Sequence, residues 1–149
     1  MKIGIASDHR GFRLKSVLIK YLEDKGHKII DYGTYTKDSC DYPDYTYAAA
    51  AAVKKKEVER SIVICYTGVG TCIAANKVKG VRAALVYSLK SASLSRKHND
   101  SNLLVLPSYL FKVDQIKKIV NRWLEEKFEG GRHARRLRKI KEIEERENV

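Results

Sequence analysis

Five short apolar runs recur along this chain with a helix-forming stretch between successive runs, and that alternation limits the fold more than any other feature. Lys2 to Ser7, His27 to Tyr32, Ser61 to Cys65, Arg82 to Tyr87 and Asn102 to Leu106 read as strands. Between them, Leu14, Val17, Leu18, Tyr21 and Leu22 fall at helical spacing before a stop at Gly26, and Pro43 opens a helix over Asp44 to about Lys56. Thr67-Gly68-Val69-Gly70 turns into a short helix, Leu89 to Lys97 reads as another, and Val113 to Glu126 as a further one. Strands that alternate with helices need right-handed crossovers, and these build a parallel sheet covered on both faces. The expected architecture is a three-layer α/β/α sandwich, Rossmann-like, with a parallel sheet of about five strands. The near-continuous apolar character of Ser61 to Cys65 suits its centre. The helix after Pro43 has an apolar face of alanines, so something must pack closely against it.

A length of 149 residues suits one domain, 1–149, with no internal repeat and no linker. Beyond Gly130-Gly131 the residues 132–149 form an extended basic C-terminal helix and tail. With 44% hydrophobic and 32% charged residues, and only 9 Gly and 2 Pro, the chain is not disordered or collagen-like. No apolar run approaches the roughly 20 residues of a membrane span, and Met1-Lys2-Ile3-Gly4-Ile5 enters a strand without signal-peptide features, so the cytoplasm is the expected compartment. Three cysteines, Cys40, Cys65 and Cys72, have no C-x-x-C spacing, which argues against a disulfide framework and against a zinc site.

The net charge of +12 is concentrated: Arg132, Arg135, Arg136, Arg138, Lys139 and Lys141 fall among ten residues without an acid. A solvated helix face, a nucleic-acid surface or an anchor for a small anion would each use such a run.

In open parallel sheets ligands bind outside the carboxyl ends of the strands, so Ser7-Asp8-His9 and Cys65-Tyr66-Thr67 are expected on one edge. The loop Cys65 to Thr71, with Gly68, Val69 and Gly70, exposes backbone N–H groups at the positive end of a helix, where an anion belongs. It follows the third strand, whereas a dinucleotide fingerprint follows the first, and it lacks the G-K-[ST] of a phosphate-binding Walker loop. Neither a nicotinamide cofactor nor a nucleotide is indicated. Cys65 beside this loop is expected to have a lowered pKa and to act as a base or nucleophile. Cys72, inside the following helix, reads as packing. Two imidazoles, His9 and His98, a carboxylate, a thiol, N–H donors and an arginine cluster together compose a proton-transfer site with an anion anchor.

These segments resemble the type B ribose-5-phosphate isomerases, within the wider ribose/galactose phosphate isomerase family, from Met1 to about Ile140. Ser7-Asp8-His9, Asp31 to Tyr35, Asp41 to Tyr45, Cys65 to Lys77, Arg96 to Asp100 and Phe128 to His133 carry the likeness, in order and at family spacing. The resemblance implies a cofactor-free aldose–ketose isomerase that interconverts ribose 5-phosphate and ribulose 5-phosphate through an enediolate. It implies Cys65 as the base, Thr67 orienting the sugar, and His98, aided by Asp8, in ring opening. His9, Arg132 and Arg136 would hold the phosphate, Asn99 and Tyr42 would line the sugar pocket, and the loop N–H groups would hold the oxyanion. Some relatives have a glutamate base at position 71, a role Thr71 cannot take. The chain departs from the family pattern at Tyr66, usually glycine, and at Tyr109, usually arginine: the first narrows the loop and the second removes a phosphate contact. By the same resemblance the site lies between two subunits of a homodimer, which can pair into a tetramer. An isomerase of a six-carbon phosphosugar, a basic nucleic-acid-binding module and a binding protein without turnover are the competing readings.

Overall fold

A computed structural model describes residues 1–147, and the last two residues of the expected tail lie outside the described residues. The strands are β1 (Lys2–Ser7), β2 (Lys28–Asp31), β3 (Arg60–Cys65), β4 (Ala83–Leu85) and β5 (Leu103–Pro107), and all of them pair in parallel. Their order in the sheet is β2-β1-β3-β5-β4. The helices are α1 (Phe12–Asp24), α2 (Tyr42–Lys54), α3 (Val69–Ala75), α4 (Leu89–Asn99), α5 (Val113–Glu125) and α6 (Arg132–Glu147). The expected three-layer sandwich is therefore observed, with the C-terminal helix as α6.

Period-two alternation sorts the strand residues onto two faces. Ile3, Ile5, Ile62, Ile64, Leu104 and Leu106 meet α1 and α5, where Leu18, Leu22, Ile116 and Trp123 are fully buried. Ala6, Val63, Leu103 and Val105 face α2 and α3 on the other side. There the alanines Ala49, Ala50 and Ala52 bring α2 close enough for the Ser61 hydroxyl to donate to Ala49 O at 2.9 Å. A Cβ on Gly4 would stand 2.5 Å from Ser61 Oγ, so a side chain there would drive the sheet and this polar contact apart. The close neighbour expected for the alanine face is the sheet itself.

Element ends differ from the sequence expectation where local chemistry decides them. Helix α2 starts two residues before Asp44, because Pro43 lies in a first turn that needs no N–H donor, and it stops at Lys54 before Lys56 adopts φ 59°. Strand β4 is only three residues long. It pairs on one side, and the Arg82 guanidinium before it is turned to the carbonyls of Asn99 and Asp100. Helix α4 runs two residues further than Lys97 and closes at Asp100, which adopts φ 45°. No described helix is long and apolar enough to cross a membrane.

Candidate active site

The connection leaving β1 goes to one side of the sheet, and β3 lies on the other side of β1. The carboxyl ends of β1 and β3 thus flank a switch in strand order, the position where such sheets open a crevice. Asp8 and Cys65 occupy those two ends, and the Cys65 thiol donates to Asp8 Oδ2 at 3.2 Å. The other oxygen, Oδ1, accepts the Gly11 N–H at 2.9 Å, which fixes the carboxylate against the entry of α1. A Cβ on Gly11 would meet the Ile64 carbonyl at 2.6 Å, so this turn tolerates only glycine.

The loop after Cys65 folds as the glycines demand. Gly68 has φ 76°, and a Cβ there would stand 2.6 Å from Leu85 Cδ1. A Cβ on Gly70 would collide with the hydroxyl end of the Tyr42 ring, so the missing side chain lets Tyr42 stand beside the loop. Val69 N–H donates to the Thr67 hydroxyl at 3.4 Å. On the far side, Ser108 N–H and Tyr109 N–H donate to Cys65 O and Tyr66 O, at 2.9 and 3.3 Å. Tyr66 and Tyr109 pack as a tilted pair with ring centroids 5.4 Å apart, and the Arg10 guanidinium lies 4.9 Å from the Tyr66 centroid. His9 Nδ1 accepts the Cys40 N–H at 3.3 Å, so in the neutral ring Nε2 carries the proton and is a donor.

The expected lowered pKa of Cys65 is overturned. Burial pushes the thiol up, and the hydrogen bond and negative charge of Asp8 add to it; the Thr71 hydroxyl and the Gly68 N–H only oppose this. Only 8% of Cys65 is exposed, so the loop N–H groups work against both desolvation and a carboxylate. Cys72 is half-buried with its thiol toward Ala83 O at 3.6 Å, as expected for packing, and burial raises its pKa as well.

His98, Asn99, Arg132 and Arg136 do not join this group within one chain. Helix α4 returns from the carboxyl end of the sheet, so its last turn lies at the amino end. There Asn99 O accepts from Arg82, and Lys97 O accepts from Glu129. Five residues of β5, at about 3.3 Å each, put roughly 16 Å between this group and Asp8 and Cys65. The His98 and His133 rings stack with centroids 4.1 Å apart, and each Nε2 lies within 3.9 Å of Glu129 Oε2. Burial, then the charges of His98 and Arg132, push the His133 pKa down. These three groups could surround a cation, but Arg132 and Arg136 beside them favour an anion.

Two further residues escaped the sequence reading. Lys15 is 1% exposed, pairs with Asp31 at 2.5 Å and donates to Thr34 O at 2.6 Å. Gly33 and Thr34 in turn exchange backbone hydrogen bonds with Ser7, so the pair supports the end of β1. Its signal was a lysine on the apolar stripe of α1, in line with Leu18 and Leu22. Thr71, fully buried in the first turn of α3, was read only as a residue unable to be a base.

The model of the ribose/galactose isomerase family matches residues 3–140. The chain belongs to that family. Ribose-5-phosphate isomerase B of Escherichia coli (strain K12) is 44% identical over 147 residues, 99% of each chain. Among solved structures, the Clostridium thermocellum ribose-5-phosphate isomerase B has a TM-score of 0.97 at 49% identity, covering 98% of this chain and 99% of its own. The Mycoplasma genitalium enzyme, solved with bound ribulose 5-phosphate, has a TM-score of 0.94 at 46% identity, covering 97% and 96%. The likeness to type B isomerases carried by the sequence motifs is borne out across almost the whole chain.

Proposed function

We propose that this family member is an aldose–ketose isomerase of type B that interconverts ribose 5-phosphate and ribulose 5-phosphate. The observation that carries the chemistry is the Cys65 thiol held 3.2 Å from Asp8 Oδ2 at the switch point, beside a glycine loop of N–H donors. Thiolate sulfur takes the C2 proton of the open-chain aldose, and the electron pair left behind forms the C1–C2 double bond. Charge then develops on O1, where the N–H groups of residues 67–71 stabilise it. Return of the proton to C1, with passage of the O2 proton to O1, leaves the ketone at C2. Thr67 orients the sugar, and Tyr42 lines the pocket over Gly70.

A thiol whose pKa is raised needs a positive charge near Asp8, and one chain offers none from the His98 group. A second copy supplies it in this reading: the partner's amino-end cluster covers the crevice, with His98 beside Asp8 for ring opening, Asn99 at the sugar, and Arg132 and Arg136 with His9 around the phosphate. A homodimer is then the smallest active unit. The Tyr66–Tyr109 pair fills space directly after Cys65, which favours a five-carbon over a six-carbon sugar phosphate. The basic run has no interleaved tyrosines, which disfavours nucleic acid.

The test is conversion of ribose 5-phosphate to the ketose by the wild type and by Cys65→Ala. Loss of about 10²–10⁴-fold with the fold intact is expected. Activity within a few-fold of wild type would reject the thiolate mechanism.

A further inference from the structure

The Thr71 side chain is fully buried, and its hydroxyl has no hydrogen-bond partner of good geometry among the described residues. In a helix a threonine hydroxyl ordinarily bonds a carbonyl three or four residues back. Here no such bond forms, and valine would fill the same volume without an orphaned polar group. A buried hydroxyl left unmade is a standing cost to the fold, so its retention calls for a state in which it has a partner.

The surroundings name that partner. Thr71 lies in the first turn of α3, just past the Gly68–Gly70 loop that leaves Cys65, and its buried hydroxyl is near enough to bear on the Cys65 thiol without making a hydrogen bond of good geometry to it. The thiol meanwhile directs its proton elsewhere, to Asp8 Oδ2 at 3.2 Å. Sulfur therefore has lone pairs free toward Thr71, but a neutral thiol is a weak acceptor and does not draw the hydroxyl in. A thiolate is a strong one.

We infer that Thr71 is a positioning residue for Cys65: its hydroxyl, orphaned while the thiol donates to Asp8, donates to the sulfur once the thiolate has formed. The inference rests on the reading of Cys65 as the base. When the sulfur loses its proton to solvent, the hydrogen bond to Asp8 disappears and two negative groups face one another. The Thr71 O–H then supplies a donor in place of the lost contact and holds the sulfur in position. Its downward pull on the thiol pKa, against burial and Asp8, has this origin.

The test follows alkylation of Cys65 by iodoacetamide against pH in the full-length protein, read by mass spectrometry of the Cys65 peptide, together with the pH profile of kcat. Thr71→Val should melt no lower than wild type, yet alkylate about tenfold more slowly at pH 7, the size of one charge-assisted hydrogen bond. Its kcat profile should move to higher pH, and Thr71→Ser should restore both. If valine does not fold in place, Thr71→Ala removes the hydroxyl without adding bulk and must slow alkylation in the same way. Alkylation profiles that superimpose on wild type would make Thr71 a filler and overturn the inference. Slower alkylation with an unmoved kcat profile would uphold Thr71 as a partner of the sulfur and instead remove Cys65 from the role of base.

Discussion

The Cys65 thiol and the Asp8 carboxylate meet across the gap between β1 and β3, sulfur to Oδ2 at 3.2 Å, with the other carboxylate oxygen tied to Gly11 N–H. Each group constrains the other. The carboxylate holds the thiol in one orientation and keeps it protonated, while the thiol and the Gly11 N–H keep the carboxylate from swinging into solvent.

Asp8→Asn separates these effects. The amide keeps the volume and can still accept from Gly11, but it removes a negative charge beside the sulfur. Cys65 should then alkylate faster at neutral pH, because one of the influences raising its pKa is gone. Turnover of ribose 5-phosphate should nevertheless fall by about a hundredfold, since in the proposed mechanism the carboxylate works beside the partner's imidazole in ring opening. Reactivity and activity moving in opposite directions is the expected signature, measured by thiol alkylation and by steady-state kinetics. A parallel fall in both would show that Asp8 activates the thiol rather than restraining it.

The buried Cys65 thiol and the half-buried Cys72 thiol also write a pH dependence into stability. The pKa of each is raised above its ordinary value of 9.0 by burial. In the folded chain these groups hold protons that the unfolded chain has already lost, so their contribution is fully present below the unfolded pKa. It declines as pH rises through the raised folded values. Urea melts should lose stability above about pH 9, and Cys65→Ala with Cys72→Ala should flatten that decline while leaving the neutral-pH region close to its former slope.

Much of this architecture was legible because apolar runs and helical periodicities report on burial along one dimension. Lys2–Ser7 coincides with β1, and β3 and β5 each fall within a residue of the sequence reading. Strand β4 was overestimated because alternation cannot reveal that Arg82 turns away to cap α4. The thiol pKa was misjudged for a similar reason: a glycine loop and helix start are visible in sequence, whereas a carboxylate 57 residues earlier lying against the sulfur is not. The separation of His98 from Asp8 had a trace in the alternation itself. A helix that leaves the carboxyl end of one strand and feeds the amino end of the next delivers its last turn to the amino end, and His98 and Asn99 are in that turn.

Lys15 provides a test of how rigidly the crevice is held. Its ammonium group satisfies Asp31 and the Thr34 carbonyl from a position 1% exposed, beneath the segment that hydrogen-bonds Ser7. Lys15→Met should destabilise the protein by about 2 kcal/mol, below the range for a fully buried pair because the Asp31 carboxylate left behind is 30% exposed and partly hydrated. Lys15→Met combined with Asp31→Leu should recover part of that loss. Urea denaturation of the single and double variants reads both values. A single variant within about 0.5 kcal/mol of wild type would place it with ordinary surface substitutions and deny the pair any structural weight.

The separation of the two residue groups makes the sharpest forecast, because the proposed dimeric site takes one end from each of two chains. Cys65→Ala damages the carboxyl-end group, and His98→Asn damages the amino-end group, so each homodimer alone should be nearly inactive. Unfolding the two variants together in equal amounts and refolding them should form hybrid dimers. Each hybrid carries one doubly damaged site and one site with the intact Cys65 of one chain and the intact His98 of the other. Random pairing makes half of the dimers hybrid with one working site in two, so about a quarter of wild-type activity should return. Mixing Cys65→Ala with Asp8→Asn should restore nothing, because both changes fall in the same half-site and no pairing unites two intact halves above the small residual activity of the second variant. Gel filtration of the refolded mixture, followed by assay of the dimer fraction, distinguishes recovery by pairing from recovery by larger assemblies. If the first mixture stays as inactive as its components, His98 and Cys65 do not act in one site formed between chains, and the role of the amino-end cluster must lie elsewhere.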